Sequence, residues 1–164
     1  MTTIRPATPA DLPAILAIYN DAVLHTTASY DLEPSTLEQR ATWFAERTHH
    51  GFPILVAELE GVVTAFGAYG AFRTKPGYRF TVEHSLYVAP EWRGRGLGRA
   101  MLAQLIRLAQ ADGMHAMIGG VDAENAASIA LHTSLGFVEV ARFREVGHKF
   151  GRWLDIIFLE LLLA

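Results

Sequence analysis

Apolar positions recur at helical spacing early in the chain and at strand spacing through much of the rest. In "DLPAILAIYNDAV", Leu12, Ile15, Leu16, Tyr19 and Val23 fall on one face, which predicts an amphipathic helix. Asp11 is a capping residue and Pro13 suits a first turn, so the helix is expected to start at Asp11 and reach about Ala22. "TIRPAT" before it reads as a short strand, and residues 25–34 as a polar and aromatic loop. Ser35–Glu38, "STLE", has the spacing of a capping box. It opens a second helix that carries Trp43 and Phe44 and ends near "HHG".

Strand patterns follow. "PILVAELEGVVTAFGAYGAF" reads as two strands joined at Glu60-Gly61, "TKPG" as a turn, and "YRFTVEHSLYV" as a further strand. After "APEWRGRGLG" a helix is expected through about Ala111, stopped near Gly113. "HAMIGGV" is a strand, and "ENAASIALHTSLG" a short helix starting near Glu124 or Asn125 with Gly136 at its C-terminal cap. "FVEVARFREV" and "WLDIIFLELLL" close the chain as strands. The order β-α-α-β-β-β-α-β-α-β-β, without repeat or linker, predicts one α/β domain over residues 1–164, built on a single twisted sheet.

Composition narrows the function classes. The net charge of −3 and pI of about 6.1 argue against a nucleic-acid partner, whose affinity needs many basic contacts. With no cysteine, thiolate nucleophiles and thiolate metal sites are excluded. The seven histidines show no ligand spacing, so no metal is expected. "MTTIRPATPADL" has no apolar signal core, and "IIFLELLLA" is short and interrupted by Glu160. A soluble, cytoplasmic protein without a membrane partner is the expectation.

The chemistry gathers at "EWRGRGLGRAML", residues 91–102. Glycines at a strand-to-helix turn let backbone N–H groups approach an anion, where the helix dipole adds positive potential. A Walker loop would need G-x-x-x-x-G-K-S/T, and a dinucleotide loop G-x-G-x-x-G. Gly94, Gly96 and Gly98 give neither; Arg99 stands where the last glycine of the second should be. What remains is R-x-x-G-x-G, from Arg93, Gly96 and Gly98. This resembles the acetyl-CoA loop of the GCN5-related N-acetyltransferase (GNAT) superfamily. "NAASIALHTSLGF" is similar to its second CoA segment, N-x-x-S-x-x-L-Y-x-x-x-G-F, at Asn125, Ser128, Leu131, Gly136 and Phe137. "IYNDAV", "TVEHSLYV", "NAASIALH" and "KFGRWLD" resemble the phosphinothricin and methionine sulfoximine N-acetyltransferase branch, and the likeness covers nearly the whole chain.

The resemblance implies a mostly antiparallel, twisted GNAT sheet flanked by helices, and acetyl-CoA as cosubstrate. Its pyrophosphate would lie on Arg93, Gly94, Arg95, Gly96, Leu97, Gly98 and Arg99. The pantetheine arm would lie along Leu86, Tyr87 and Val88, with Asn125 and Ser128 on the far side. An amine nucleophile must lose a proton before it attacks, and Glu83 matches the position of the branch's base. His132 stands where many members carry a tyrosine acid, which leaves the acid's identity open. The N–H of Val88 would serve the oxyanion if a bulge opens the strand there. For a small amino-acid-like acceptor, Arg73, Thr74 and Lys75 offer a carboxylate clamp. Glu83, His84 and Ser85 would line the acceptor site, walled by Tyr30, Phe72 and Tyr78. Acceptors of another kind (a protein N-terminus, a polyamine, an aminoglycoside) stay open, as does a non-catalytic acyl-CoA-binding domain. The apolar closing segment, with Phe150 and Trp153, suggests a homodimer.

Overall fold

The chain begins with β1 (Thr2–Pro6), then α1 (Leu12–His25), α2 (Leu37–His49) and the hairpin of β2 (Ile54–Leu59) and β3 (Val62–Ala71). β4 (Thr81–Val88), α3 (Leu97–Ala111), β5 (Ala116–Asp122), α4 (Ala126–Ser134), β6 (Val138–Lys149) and β7 (Arg152–Leu162) complete it. The structure is a computed structural model that describes residues 1–163. Helices and strands follow one another in the expected order.

Helix ends differ from the sequence reading for local reasons. Asp11 does not cap α1: its carboxylate takes the Thr8 N–H at 2.7 Å and two Arg5 donors, inside a 3-10 turn over Pro9–Asp11. Arg5 holds the Asp11 carboxyl down to about 2. α1 then runs past Ala22 to His25, where the Thr26 hydroxyl donates to the Ala22 carbonyl. The capping box of α2 is Thr36 with Gln39, one residue later than expected. Ser35 is held outside the helix because Asn20 takes its N–H and donates to its C=O. Tyr78 lies in a 3-10 turn over Pro76–Tyr78, so β4 starts only at Thr81. The β2–β3 turn at Glu60-Gly61 has both φ values positive, 52° and 80°, as a tight hairpin requires.

Among the described residues seven strands form one sheet in the order β1-β2-β3-β4-β5-β7-β6. Every neighbouring pair is antiparallel except β4 and β5. Those two pair only through Thr81↔Ala116, Val82↔Met117 and Glu83↔Ile118. β4 continues to Val88 against β3, and β5 continues to Asp122 against β7. The sheet therefore forks after Glu83. Backbone groups on the inner edges of a fork have no strand partner, which is where an extended ligand can be hydrogen-bonded.

Two apolar layers hold the sheet. On one face Ile15, Ile18 and Val23 of α1 pack on Val56, Phe66 and Ala68, with Trp43 and Phe44 of α2 at the margin. On the other, Met101, Leu102 and Leu105 of α3 pack on Leu55, Tyr69, Val82, Met117, Ile157 and Phe137. Alternation along β4 sends Val82, His84, Leu86 and Val88 to the α3 face, and Glu83, Ser85 and Tyr87 to the α1 face. The apolar closing strand β7 lies inside the sheet, between β5 and β6, which accounts for its composition; β6 is the edge strand on that side and β1 on the other.

Candidate active site

The glycine loop joins β4 to α3 and its glycines serve two purposes. Gly94 and Gly96 have φ of 74° and 80°, and Gly96 is the N-cap of α3. A side chain is strained in that left-handed region, and neither position has a neighbour within 4 Å, so the backbone lies open. Gly98 is different: a Cβ there would sit 2.9 Å from the Leu131 side chain, so its absence lets α3 and α4 close together. The first hydrogen bond of α3 runs from Ala100 to Gly96. The N–H groups of Leu97, Gly98 and Arg99 thus point out of the helix end.

The three loop arginines are not equivalent. Arg93 donates from Nε to the Val88 carbonyl at 3.1 Å and pairs with Asp21 at 3.2 Å, tying loop, strand and α1 together. Arg95 lies 4.7 Å over the Trp92 ring and is not part of the cleft wall. Arg99 faces the cleft and makes no ion pair among the described residues. This cleft, of about 980 Å³, is lined by the loop, Leu86, Tyr87, Val88, Asn125, Ser128 and the end of α1.

The cleft continues into the fork. Ala89 donates to Thr64 and Phe72 to Thr81, which fixes the odd-numbered residues of β4 as those bonded to β3. The backbone of Leu86 and Val88 therefore faces the gap. The β3–β4 register runs unbroken from Ala71↔Val82 to Ala65↔Val88, so the expected bulge at Val88 is absent from this ladder. The Val88 N–H is freed by the parting of β4 from β5 instead. Of the other residues expected here, Asn125 caps α4, accepting from the Ser128 N–H at 3.1 Å. The Tyr87 ring turns away, stacked on Phe66 at 5.2 Å.

A second hollow, about 200 Å³, lies at the crotch of the fork between Glu83, His84, Ser85, Gly120, Asp122, Ser128 and His132. Glu83 is the last residue of β4 paired to β5. Burial pushes its carboxyl up, while the charges of Arg47 and Arg73 pull it back. A Cβ on Gly120 would sit 3.8 Å from Glu83 Oε1 and 3.4 Å from Ile156, so β5 offers a bare surface beside the carboxylate.

His84 and His132 form a buried pair on the opposite face, Nε2 to Nε2 at 2.9 Å, with rings stacked 5.0 Å apart and Phe137 against both. His132 Nδ1 is 2.7 Å from the Ser128 carbonyl, which only accepts. His132 therefore donates from Nδ1 and accepts at Nε2, and His84 donates from its own Nε2. Both nitrogens of His132 are thus occupied within the protein, and His84 Nδ1 is buried without a partner. Burial pushes both rings toward the neutral form, His84 down to about 3. An unfolded histidine titrates near 6.5, so the unfolded chain binds more protons below that value, and stability falls as pH drops. Denaturant titrations between pH 6.5 and about 5 should show a loss of up to about 1.4 kcal/mol per pH unit for each histidine. A flat profile there would mean that the pair protonates inside the fold.

Other expected acceptor residues do not themselves line the hollow, although the charge of Arg73 acts on Glu83. Arg73, Thr74 and Lys75 sit on the exposed turn after β3 and line neither cavity; Arg73 leans on the Phe72 ring at 5.1 Å. Phe72 and Tyr78 pack on each other there. Tyr30 is a staple: its hydroxyl donates to Asp122 at 2.7 Å and its ring covers Gly147, where a Cβ would be 2.5 Å away. With Lys149 donating to the Ser29 carbonyl at 2.6 Å, it pins the loop after α1 to β5 and β6. Sequence reasoning missed Gly119 and Gly120, although paired glycines inside a strand were a visible sign of close approach. It also missed Arg47, whose helix pattern carries no such sign.

Known proteins share this architecture. The model of the acetyltransferase (GNAT) family matches residues 15–137. An L-methionine sulfoximine/L-methionine sulfone acetyltransferase of Salmonella typhimurium is 48% identical over 161 residues, which span 98% of this chain and 94% of that protein. The crystal structure of an N-acetyltransferase from Staphylococcus aureus superposes with a TM-score of 0.99 at 43% identity, covering 100% of this chain and 99% of that one. A GNAT superfamily phosphinothricin acetyltransferase from Sinorhizobium meliloti, in complex with acetyl-CoA, gives 0.97 at 39% identity, over 99% and 89% of the two chains. With its forked sheet and glycine-capped α3, the chain belongs to the acetyltransferase (GNAT) family.

Proposed function

We propose that the protein transfers the acetyl group of acetyl-CoA to the α-amine of a small amino acid with an oxygen-rich side chain, in the class of methionine sulfoximine, methionine sulfone and phosphinothricin. One observation carries this reading: a carboxylate held by burial at the crotch of a fork whose free strand edge leads straight to the glycine loop. Its support in kinship is the 48% identity to a methionine sulfoximine/sulfone acetyltransferase.

The residues divide the work as follows. The outward N–H groups of α3 and Arg99 hold the pyrophosphate, and the free edge of Leu86 and Val88 holds the pantetheine arm. Glu83 accepts the proton from the acceptor's ammonium, so that nitrogen attacks the thioester carbonyl. The Val88 N–H stabilises the oxyanion. As the C–N bond forms and the C–S bond breaks, the nitrogen sheds a second proton, which suffices for the departing thiolate. His132, engaged at both nitrogens, shapes the wall of the hollow in this reading. A thiol-release screen of the three compounds and ordinary amino acids tests it: turnover confined to amines without a carboxylate would refute the acceptor class.

We further place the protein in the cytoplasm as a homodimer. No helix among the described residues is long and apolar enough to cross a membrane. Edge strand β6 exposes Val138, Val140, Phe143 and Val146, with Phe150 and Trp153 beyond. An unpaired apolar edge of this length is an aggregation hazard unless covered. Sedimentation at micromolar concentration should find the dimer; a monomer alone would refute it.

A further inference from the structure

Helix α2 turns two arginines toward the sheet. Arg40 is buried, its Cζ 3.9 Å from the centre of the Tyr19 ring and 4.7 Å from that of Trp43. Arg47 reaches further and lies on β3 at Gly70. A Cβ built on Gly70 would be 2.2 Å from Arg47 Nη1 and 2.9 Å from Cζ, so the guanidinium fills the place of the missing side chain. Gly70 pairs directly with Glu83. Side chains at directly paired positions stand about 5 Å apart on the same face, so the guanidinium is the cross-strand neighbour of the carboxylate.

Yet Arg47 makes no hydrogen bond and no ion pair among the described residues, and its Nη1 is buried without a partner. A half-buried guanidinium with unmade hydrogen bonds is destabilising unless an acceptor arrives from outside. The neighbouring groups narrow what that acceptor is. Arg40, whose Nε is likewise without a partner, is covered by aromatic faces, and across the fork β5 and β7 bring Gly120, Ile156 and Phe158 beside Glu83; the charge β5 adds to the hollow, Asp122, repels an anion and already accepts from the Tyr30 hydroxyl. Arg73, the cation expected to clamp a carboxylate, sits exposed on its turn. An α-amino acid carries its carboxylate on the same carbon as its amine. With the amine at Glu83, the carboxylate falls within a side chain's reach of Glu83; Arg47 and Arg73 both act on Glu83 and neither lines the hollow as it stands, but only Arg47 is partly buried on the sheet at the position paired with Glu83.

We propose that Arg47 binds the α-carboxylate of the acceptor, so that Glu83 and Arg47, paired across β3 and β4, together recognise the α-amino-acid head group. This rests on the acetyl-transfer reading with Glu83 as base. Gly70 belongs to the device, because any side chain there would displace the guanidinium.

The test compares methionine sulfone with its α-carboxamide, which keeps the amine and the side chain but loses the negative charge. The wild type should prefer the acid. Arg47→Gln should raise KM for the acid about ten- to hundredfold and lower the amide's kcat/KM far less, through the loss of a positive charge near Glu83, bringing the acid-to-amide ratio near one. Arg47→Lys should restore part of the ratio, and Arg73→Ala should leave it intact. Gly70→Ala, which does not remove the charge, should collapse the ratio as Arg47→Gln does, and serves if the latter folds poorly. A ratio unchanged in Arg47→Gln and Gly70→Ala, a ratio lost in Arg73→Ala, or a wild type indifferent to the carboxylate would overturn the proposal. Failure of the base reading looks different: Glu83→Gln would then leave the turnover of both compounds unchanged.

Discussion

Replacing Glu83 with glutamine is expected to lower kcat about 10²- to 10³-fold while the Kd for acetyl-CoA stays within about twofold. The change removes the proton acceptor and keeps size and polarity. Glu83 lines the hollow at the crotch of the fork but not the large cleft, so cosubstrate contacts are untouched. The pH profile adds a signature. Burial raises the Glu83 carboxyl from its ordinary 4.5, more than Arg47 and Arg73 lower it. A base works only when ionised, so the acid limb of kcat/KM should lie above 4.5 in the wild type and vanish in the Gln variant. Stopped-flow or thiol-release kinetics across pH would read both. A variant with wild-type kcat would remove Glu83 as the base.

The second large effect is expected from one methyl group at Gly119. Its Cβ would lie 2.8 Å from His84 Nε2 and 2.9 Å from His132 Nε2, between the two atoms that share the buried hydrogen bond. Neither ring can retreat, because Phe137 packs on both and His132 is tied to the Ser128 carbonyl. Losing the bond inside the protein leaves polar atoms unsatisfied, at about 1–3 kcal/mol, and Tm should fall by roughly 2–12 °C. Gly120→Ala is the built-in control: it points to the other face, where the nearest atom is 3.4 Å away, and its Tm should change little. If Gly119→Ala melts within roughly 1–2 °C of the wild type, the His84–His132 pair is not a rigid unit.

Much of this protein was legible in residue order, for reasons that act over short range. Apolar spacing in α1 and alternation in β4 decide which elements form, since periods of 3.6 and 2 are properties of the local backbone. The turn at Glu60-Gly61 and the loop at Gly94 and Gly96 were recognisable because positive φ favours glycine within the turn itself. The likeness of "TVEHSLYV" and "NAASIALHTSLGF" to known segments pointed to acetyl-CoA for the same reason: each motif is contiguous.

The misreadings have equally physical causes. Asp11 and Ser35 looked like caps, but Arg5 captured one and Asn20 the other, and such partners lie beyond any local pattern. Arg73 and Tyr30 were named for an acceptor pocket from their chemistry alone; Arg73 sits on an exposed turn with its charge still acting on Glu83, and Tyr30 is drawn to Asp122 in the hollow's wall, 92 positions away. Glu83 and His84 are adjacent in sequence and end on opposite faces of the sheet, so only one stands beside Arg47.

The sequence by itself determined the elements, their order and the phosphate-binding turn. Tertiary structure decided that β4 parts from β5 at Glu83, that His84 pairs with His132 across Gly119, and that Arg47 comes to rest on Gly70. Those three depend on strand register and on spaces left by absent side chains. Both are set by contacts between segments distant along the chain, which hydrophobic period and motif spacing do not encode.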